Sequence, residues 1–125
     1  MIISIPMPGA KECSLNWRGH WAQRARAVKT LRGAAMICAL SCSNWSRPNY
    51  EKAKVSITFV IPNRHHIKDS DNAMASIKPA IDGCVDAGII VDDSPDHLQY
   101  EMPIIWQVDK ERAPLTIIEI ERLEK

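Results

Sequence analysis

The segment "LQYEMPIIWQV", residues 98–108, alternates apolar and polar side chains and constrains the fold more than any other part of the chain. Its apolar positions are Leu98, Tyr100, Met102, Ile104, Trp106 and Val108. A period of two is typical of a β-strand with one buried face. Because proline has no amide hydrogen to donate to a neighbouring strand, Pro103 predicts an edge or bulged strand. The fold therefore has to include a sheet.

Other segments supply the rest of the sheet and two helices. The segments "IISI" (residues 2–5), "KVSITFVIP" (54–62) and "LTIIEIERL" (115–123) are typical of strands. Helical spacing predicts one helix over residues 17–41, capped by Asn16, and a second after "DSDN" that Pro79 kinks and Gly88 ends. The order β-α-β-α-β-β predicts an α+β fold, a small mixed sheet with two main helices packed on it.

The length of 125 residues is typical of one domain, here residues 1–125. No apolar run reaches the roughly 20 residues that span a bilayer, and the N-terminal segment lacks the basic start of a signal peptide. We therefore expect a cytoplasmic protein without a membrane partner. In that reducing compartment, the four cysteines are predicted to be free, buried or half-buried side chains.

The net charge of +1 conceals two halves of opposite sign. Residues 1–54 hold nine Lys or Arg and two Glu, a balance of +7, whereas residues 55–125 hold seven basic and thirteen acidic residues, a balance of −6. Two solvated surfaces that attract each other would explain this pattern. A basic face for a polyanion, separate from an acidic centre, would explain it equally well.

Acidic residues gather at two places in the second half. Asp69 and Asp71 lie in "KDSDN", and Asp92 and Asp93 follow the apolar "GIIV". If the backbone at "DSD" is extended, the side chains of Asp69 and Asp71 point the same way. Crowded carboxylates repel each other, and a hard cation such as Mg²⁺, which takes oxygen ligands, removes that repulsion. The pattern thus indicates a candidate Mg²⁺ centre.

Each piece also has an ordinary structural explanation. Asp71 could cap the second helix, and the Asp92–Asp93 pair could belong to a turn. Lys78 and Asp82 have the spacing of an exposed ion pair on a helix. Arg24 falls inside the apolar stripe of the first helix, where it either extends along the edge of the core or serves a site or a subunit contact.

The ordered combination is more specific than its parts. "R-x-x-x-K-D-S-D-N", then "K-P-A-I-D-G", then "A-G-I-I-V-D-D" resembles the RusA-like family of Holliday-junction resolvases, many of them encoded by phages and prophages. The resemblance implies a RusA-like nuclease domain that resolves four-way DNA junctions in recombination and repair. It implies Mg²⁺-dependent, paired, symmetric phosphodiester hydrolysis, with Mn²⁺ as a substitute ion, no small-molecule cofactor, and a homodimer.

Site residues follow from the resemblance position by position. Asp69, Asp71 and Asp93 match the metal-binding catalytic carboxylates, and Asp92 is the less favoured acid of its pair. Lys78 matches the catalytic lysine, although better-known members place it four residues after the second acid, where this chain has Ala75. The supporting residues are Asn72, which orders the turn, and Asp82. Basic character near the acids and on the first helix, beyond what the resemblance gives, assigns a further set of residues to the DNA backbone: Arg64, His65, Lys68, Arg18, Arg24, Arg26 and Lys29.

Two other functions fit parts of the sequence. A junction-binding protein of the same fold that has lost catalysis is favoured by the displaced lysine alone. A nucleotide-sugar transferase would use D-x-D to hold Mn²⁺ and a diphosphate, but a chain of 125 residues leaves little room for both of its substrates.

Overall fold

The computed structural model describes residues 1–123 and contains five strands and two long helices. The elements in chain order are β1 (Ile2–Ile5), α1 (Trp21–Cys42), β2 (Ala53–Ile61), α2 (Ser70–Asp86), β3 (Leu98–Tyr100), β4 (Ile105–Val108) and β5 (Leu115–Arg122). Single turns of 3-10 helix lie at Lys11–Cys13 and Arg64–His66. The α+β class and the order of strands and helices are confirmed.

The sheet is mixed, as predicted. β5 lies between β1 and β2 and pairs with both in antiparallel register, whereas β3 and β4 both pair with β2 in parallel register. Ile118 of β5 stands opposite Ile3 on one side and Ile57 on the other. All three are buried in a core that also includes side chains of α1 and α2.

The alternating segment 98–108 is not one continuous strand. β3 and β4 are separate strands, and the chain between them, around Met102 and Pro103, has no strand pairing. Pro103 cannot donate to β2, so the ladder stops there and resumes at Ile105. The prediction of an edge strand is confirmed, but alternation alone overestimated the length of the strand.

The first helix begins four residues later than predicted. His20 is the N-cap, and its Nδ1 accepts a hydrogen bond from the amide of Ala22 at 3.1 Å, so the prediction of Asn16 as the cap is wrong. Residues 17–19 lie outside the helix, and Gly19 lies against the Trp17 indole. A Cβ at Gly19 would come within 2.1 Å of that ring.

The second helix runs through Pro79 without ending there. One turn earlier, the carbonyl of Ser76 accepts a hydrogen bond from the amide of Ala10 at 2.9 Å, which joins the N-terminal segment to the helix. The chain leaves the helix at Gly88, whose φ of 71° is in the left-handed region that favours glycine. The predicted stop is confirmed.

All four cysteines are free thiols. Cys84 is buried, and burial raises its pKa to about 12, while Cys13 and Cys38 are partly buried. Cys42 is exposed, so the prediction of buried or half-buried thiols is wrong at that position. No helix within residues 1–123 combines the length and the apolar character that crossing a bilayer requires.

Candidate functional site

The two carboxylates of "DSD" are separated by the first residue of α2. Asp69 is the N-cap, and its Oδ1 accepts a hydrogen bond from the amide of Asn72 at 2.9 Å. Asp71 lies inside the first turn, so it is not the cap. Because the helix begins at Ser70, the extended backbone assumed for this segment is wrong. Side chains two apart on a helix do not face each other, so the backbone no longer directs Asp69 and Asp71 to one point.

Asn72 connects the start of α2 to the N-terminal segment. Its Oδ1 accepts hydrogen bonds from the Ser14 hydroxyl and the Leu15 amide, both at 2.9 Å. Ser14 is a contact that the sequence pattern did not indicate, since it lies 58 positions away. These bonds hold residues 14–15 against the helix terminus that carries Asp69 and Asp71.

One solvent-facing stripe of α2 carries the charged residues of the motif. Asp71, Lys78 and Asp82 recur at steps of seven and four residues, so they lie on the same face of the helix. Ala75 occupies this face between Asp71 and Lys78. With a rise of about 1.5 Å per residue, Asp71 and Lys78 are separated by roughly 10 Å along the axis. Asp71 thus lies near the N-terminal end of this stripe, and Lys78 and Asp82 form a separate charged group in its middle.

Lys78 is at the centre of that charged group. Its Nζ donates to Asp82 Oδ1 at 2.6 Å and also contacts the carboxylate of Asp93. Partial burial acts to lower the pKa of Lys78, but the hydrogen bonds to Asp82 and Asp93 raise it overall. The same bond from Lys78 lowers the pKa of Asp93. Lys78 and Asp93 are therefore both charged at neutral pH. By formal charge, the cluster combines one basic and two acidic side chains.

The turn after α2 is what brings Asp93 back to the helix. Ile89 and Ile90 are almost completely buried, and Ile90 forms a parallel bridge with Tyr50. The amide of Val91 then donates to the carbonyl of Tyr50 at 3.1 Å. The apolar "GIIV" therefore fixes the path of the chain just before the acidic pair. Asp93 reaches Lys78 as a result, whereas Asp92 is exposed.

Tyr100 belongs to the surroundings of this cluster, although no sequence motif pointed to it. Burial raises the pKa of its phenol, and the charges of Lys78, Asp93 and Asp82 also act on it. The alternation of segment 98–108 predicted only that Tyr100 would face the core. Its position beside α2 depends on the parallel pairing of β3 with β2.

The predicted Mg²⁺ ligands do not form one centre in this arrangement. Among residues 1–123, no group of three or more His, Cys, Asp or Glu side chains is arranged to hold a metal ion. Carboxylate oxygens have the right chemistry for Mg²⁺, and Asp71 has no hydrogen-bond or ion-pair partner in that part of the chain. Asp93, however, is neutralised by Lys78. The three-carboxylate site does not fit the residues as they stand.

The basic residues assigned to DNA lie in two segments. Arg64 and His65 are exposed in the 3-10 turn before α2, where the Asn63 side chain accepts from the His65 amide at 2.9 Å. Arg18, Arg26 and Lys29 are exposed, just before α1 or on its first three turns. Arg24 is exposed too, but its Nε donates to the carbonyl of Glu12 at 2.7 Å. Arg24 therefore supports the N-terminal segment.

A groove connects these two segments. Its volume is about 410 Å³, and its walls include Ala27 and Leu31 of α1 together with His66 and Lys68 from the chain that leads into α2. Lys11 also lines it, which no sequence pattern indicated. The groove therefore presents an apolar wall with cations beside the helix terminus that carries Asp69.

Arg32, the other basic residue of α1, is used within the fold. Its guanidinium makes two bonds to the carboxylate of Asp86 on α2, at 2.5 and 2.8 Å. This bidentate pair lowers the pKa of Asp86 and raises that of Arg32. Arg32 is thus occupied in joining the two helices.

No protein-family model matches the sequence. A protein of Xylella fastidiosa (strain Temecula1 / ATCC 700964), described as an uncharacterized protein, is 38% identical over 87 residues. The match covers 68% of this chain and 56% of that protein, so the chain spans little more than half of its relative's length.

Proposed function

We propose that the chain is a RusA-like endodeoxyribonuclease that resolves four-way DNA junctions by paired, symmetric phosphodiester hydrolysis. In each cut, the oxygen of a water molecule bonds to phosphorus and the bond to the 3′ oxygen breaks, which leaves a 5′-phosphate and a 3′-hydroxyl. Mg²⁺ is the proposed cofactor, with Mn²⁺ as its substitute, and the substrate is held by phosphate contacts that depend on salt.

The observation that carries this proposal is the contact of Lys78 with Asp93. These residues are 15 positions apart, and they belong to separate blocks of the sequence motif. Their side chains meet on the face of α2 that also presents Asp71 and Asp82. A turn that was acidic by chance would not be expected to return to the lysine on this face of α2.

The residues around this face have distinct proposed roles. Lys78 provides a cation for a backbone phosphate, and Asp82 holds that cation on the helix. Asp69 and Asp71 provide oxygen donors at the terminus of α2, where the bonds of Asn72 order the chain. The exposed side chains of Arg64, Arg18, Arg26 and Lys29, together with Lys68 in the groove, attract the DNA backbone, and the exposed His65 contacts it, without reading its sequence.

The symmetry of the reaction favours a homodimer. A four-way junction is resolved by two matched cuts, and a two-fold dimer with one site per subunit delivers them with a single type of interface. A junction with two-fold symmetry is the proposed partner.

Cleavage of a synthetic four-way junction in Mg²⁺ tests the proposal, with linear duplex as the control substrate. Wild-type protein is expected to make paired nicks in the junction and none in the duplex. Asp71→Asn should abolish cleavage and preserve or tighten junction binding, because it removes a negative charge that repels phosphate. Loss of binding together with cleavage would instead identify Asp71 as a residue required for folding of the α2 terminus.

A second candidate, a junction-binding protein without nuclease activity, is favoured by the neutralised Asp93. It predicts tight binding to the junction with no nicks in either Mg²⁺ or Mn²⁺. The same assay therefore separates the two candidates.

A further inference from the structure

The groove of about 410 Å³ beside the start of α2 has a wall that the rest of the fold holds in place. This wall is the chain from Met7 to Ala10. The carbonyl of Met7 accepts a hydrogen bond from the Thr116 hydroxyl at 2.9 Å. The amide of Ala10 donates to the carbonyl of Ser76 at 2.9 Å. A Cβ on Gly9 would lie 2.4 Å from Oγ of Ser76, so the chain packs closely on α2, and the groove is a preformed concave surface.

Two lysines and a histidine line the groove. The side chains of Lys11, His66 and Lys68 make no hydrogen bond or ion pair within residues 1–123. Glu12 is the only acid among the lining residues of that part of the chain, so two lysines against one glutamate leave the groove with a positive formal charge. The groove is thus complementary to an anion that also carries an apolar group.

The position of Lys68 and His66 favours a DNA strand as that anion. Both residues also line a second cavity, of about 100 Å³, whose walls include the stacked rings of Phe59 and Trp106. They therefore stand between two cavities with apolar walls. A backbone phosphate carries a nucleoside on each side, whereas the charges of an acidic peptide are at the ends of its side chains. A single strand of DNA fits this order of groups better.

We propose that the groove binds one unpaired nucleotide of the junction, with its phosphate on Lys68 and His66 and its base against Ala27 and Leu31. This inference rests on the proposed function. Lys68 directly precedes Asp69, the N-cap of α2, so the bound nucleotide adjoins the proposed site of cleavage.

An unpaired nucleotide in the groove also explains selectivity for junctions. A base can enter the groove only after it leaves its stack, and this step costs least where base pairing is already interrupted. The groove should therefore receive a base at the branch point and none from a continuous duplex.

A larger side chain at Ala27 tests the site for the base. Ala27 is half-buried on α1 and lines the groove, so Ala27→Phe should fill the groove without changing any charge. Ala25→Phe is the matched control, because Ala25 is an exposed residue of the same helix that does not line the groove. Leucine in place of phenylalanine at both positions repeats the comparison if Ala27→Phe does not fold.

The probes are two single-stranded oligonucleotides of equal length, one with bases and one abasic. Their binding is followed by fluorescence anisotropy without divalent ions, so that no strand is cut. Wild type and Ala25→Phe should bind the strand with bases about tenfold more tightly than the abasic strand, as expected for burial of one small apolar group. Ala27→Phe should bind both strands with the affinity of the abasic one.

A second pair of variants tests the site for the phosphate. Lys68→Met should weaken the binding of both strands about fivefold and lower the slope of log K against log[salt] by about one. Lys52→Met removes the same charge from an exposed lysine outside the groove, and it should change both affinities less than about twofold.

Three results would overturn the proposal. The first is equal affinity of the wild type for the two strands, and the second is the same preference for bases in Ala27→Phe as in Ala25→Phe. The third is binding of polyglutamate that matches the strand with bases and depends equally on Lys68, since it would show a groove that selects charge alone.

These outcomes are separable from the function test. Junction cleavage by wild type together with equal affinity for the two strands would keep the nuclease and overturn the nucleotide site. A preference for bases that Ala27→Phe removes, in a protein that does not cut junctions, would support the nucleotide site and overturn the nuclease.

Discussion

Two ion clusters connect α2 to its surroundings, and they differ in the number of acids that each cation serves. Arg32 meets Asp86 through two parallel bonds, so one positive and one negative charge cancel. Lys78 meets both Asp82 and Asp93, so one negative charge remains. The first cluster therefore has no net charge that would attract a further ion. The second retains an attraction for cations, and it lies beside a loop rather than between two packed helices.

We infer from this difference that the charge-balanced Arg32–Asp86 pair contributes to stability, whereas the unbalanced Lys78 cluster contributes to activity. Asp86 should then matter more for stability, because its loss leaves Arg32 without its bidentate partner. Asp93 should matter more for activity, because Lys78 keeps Asp82 when Asp93 is gone. The ranking of the two acids should therefore reverse between the two measurements.

The largest expected effect is on cleavage of the four-way junction. Asp93→Asn should lower the rate at least about 100-fold, as expected for an acid that takes part in a catalytic site. Asp86→Asn should change it less than about twofold, because neutral exposed substitutions away from a site rarely matter. Single-turnover cleavage measures both variants, and equal losses would remove the distinction between the clusters.

The next effect concerns the packing that supports the Arg32–Asp86 pair. A Cβ on Gly83 would lie 2.4 Å from the carbonyl of Arg32 and 2.8 Å from Cβ of Ala35, so Gly83→Ala should force α1 and α2 apart. We expect it to lower the free energy of unfolding by about 1–3 kcal/mol. Gly33→Ala is the control, since its Cβ would meet nothing within 4 Å.

Denaturant unfolding distinguishes these two glycines. Gly33→Ala should stabilise the protein by about 0.5–1 kcal/mol, because alanine is the better helix former. Equal changes in the free energy of unfolding of the two variants would show that the contact of α1 with α2 at Gly83 is not closely packed.

The smallest effect is the pH dependence of stability that comes from Asp86. Because Arg32 lowers the pKa of Asp86 in the folded state, the pair stabilises the protein above the ordinary carboxyl value of about 3.9, and this contribution is lost as pH falls through the lower folded value. Asp86→Asn should thus be destabilised by less than about 1 kcal/mol at pH 7, as for exposed ion pairs.

Thermal unfolding between pH 7 and pH 2 measures that difference. The melting temperatures of wild type and Asp86→Asn should converge as the pH falls, because protonation of Asp86 removes the same charge from the wild type. A gap that stays constant across the range would mean that Asp86 acts through packing and not through its charge.

Local patterns in the sequence were enough to predict the elements of the fold. The alternation of Val55, Ile57 and Phe59 identified β2, and Gly88 identified the end of α2. The start of α1 was mispredicted because His20, which is not among the residue types that usually cap helices, provides the cap in place of Asn16. The length of the strand near Pro103 was mispredicted because pairing with β2 decides where the strand stops.

The candidate site was harder to predict from the sequence than the elements of the fold. Spacing on a helix predicted the Lys78–Asp82 pair, since both residues lie on one element. The contact with Asp93 depends on the burial of Ile89 and Ile90, which determines where the loop returns. The divergence of Asp69 from Asp71 likewise follows from the exact start of α2, a boundary that residue types alone leave open.

The interrupted edge beside β2 also affects the tendency of this protein to aggregate. Unpaired strand edges can recruit strands from other chains and so begin aggregation. Here β3 and β4 offer only three and four residues, and Pro103 between them has no amide hydrogen to give. The opposite edge, β1, has four residues. Apolar side chains such as Ile105 and Val108 can therefore stay exposed at high protein concentration without nucleating a continuous intermolecular sheet.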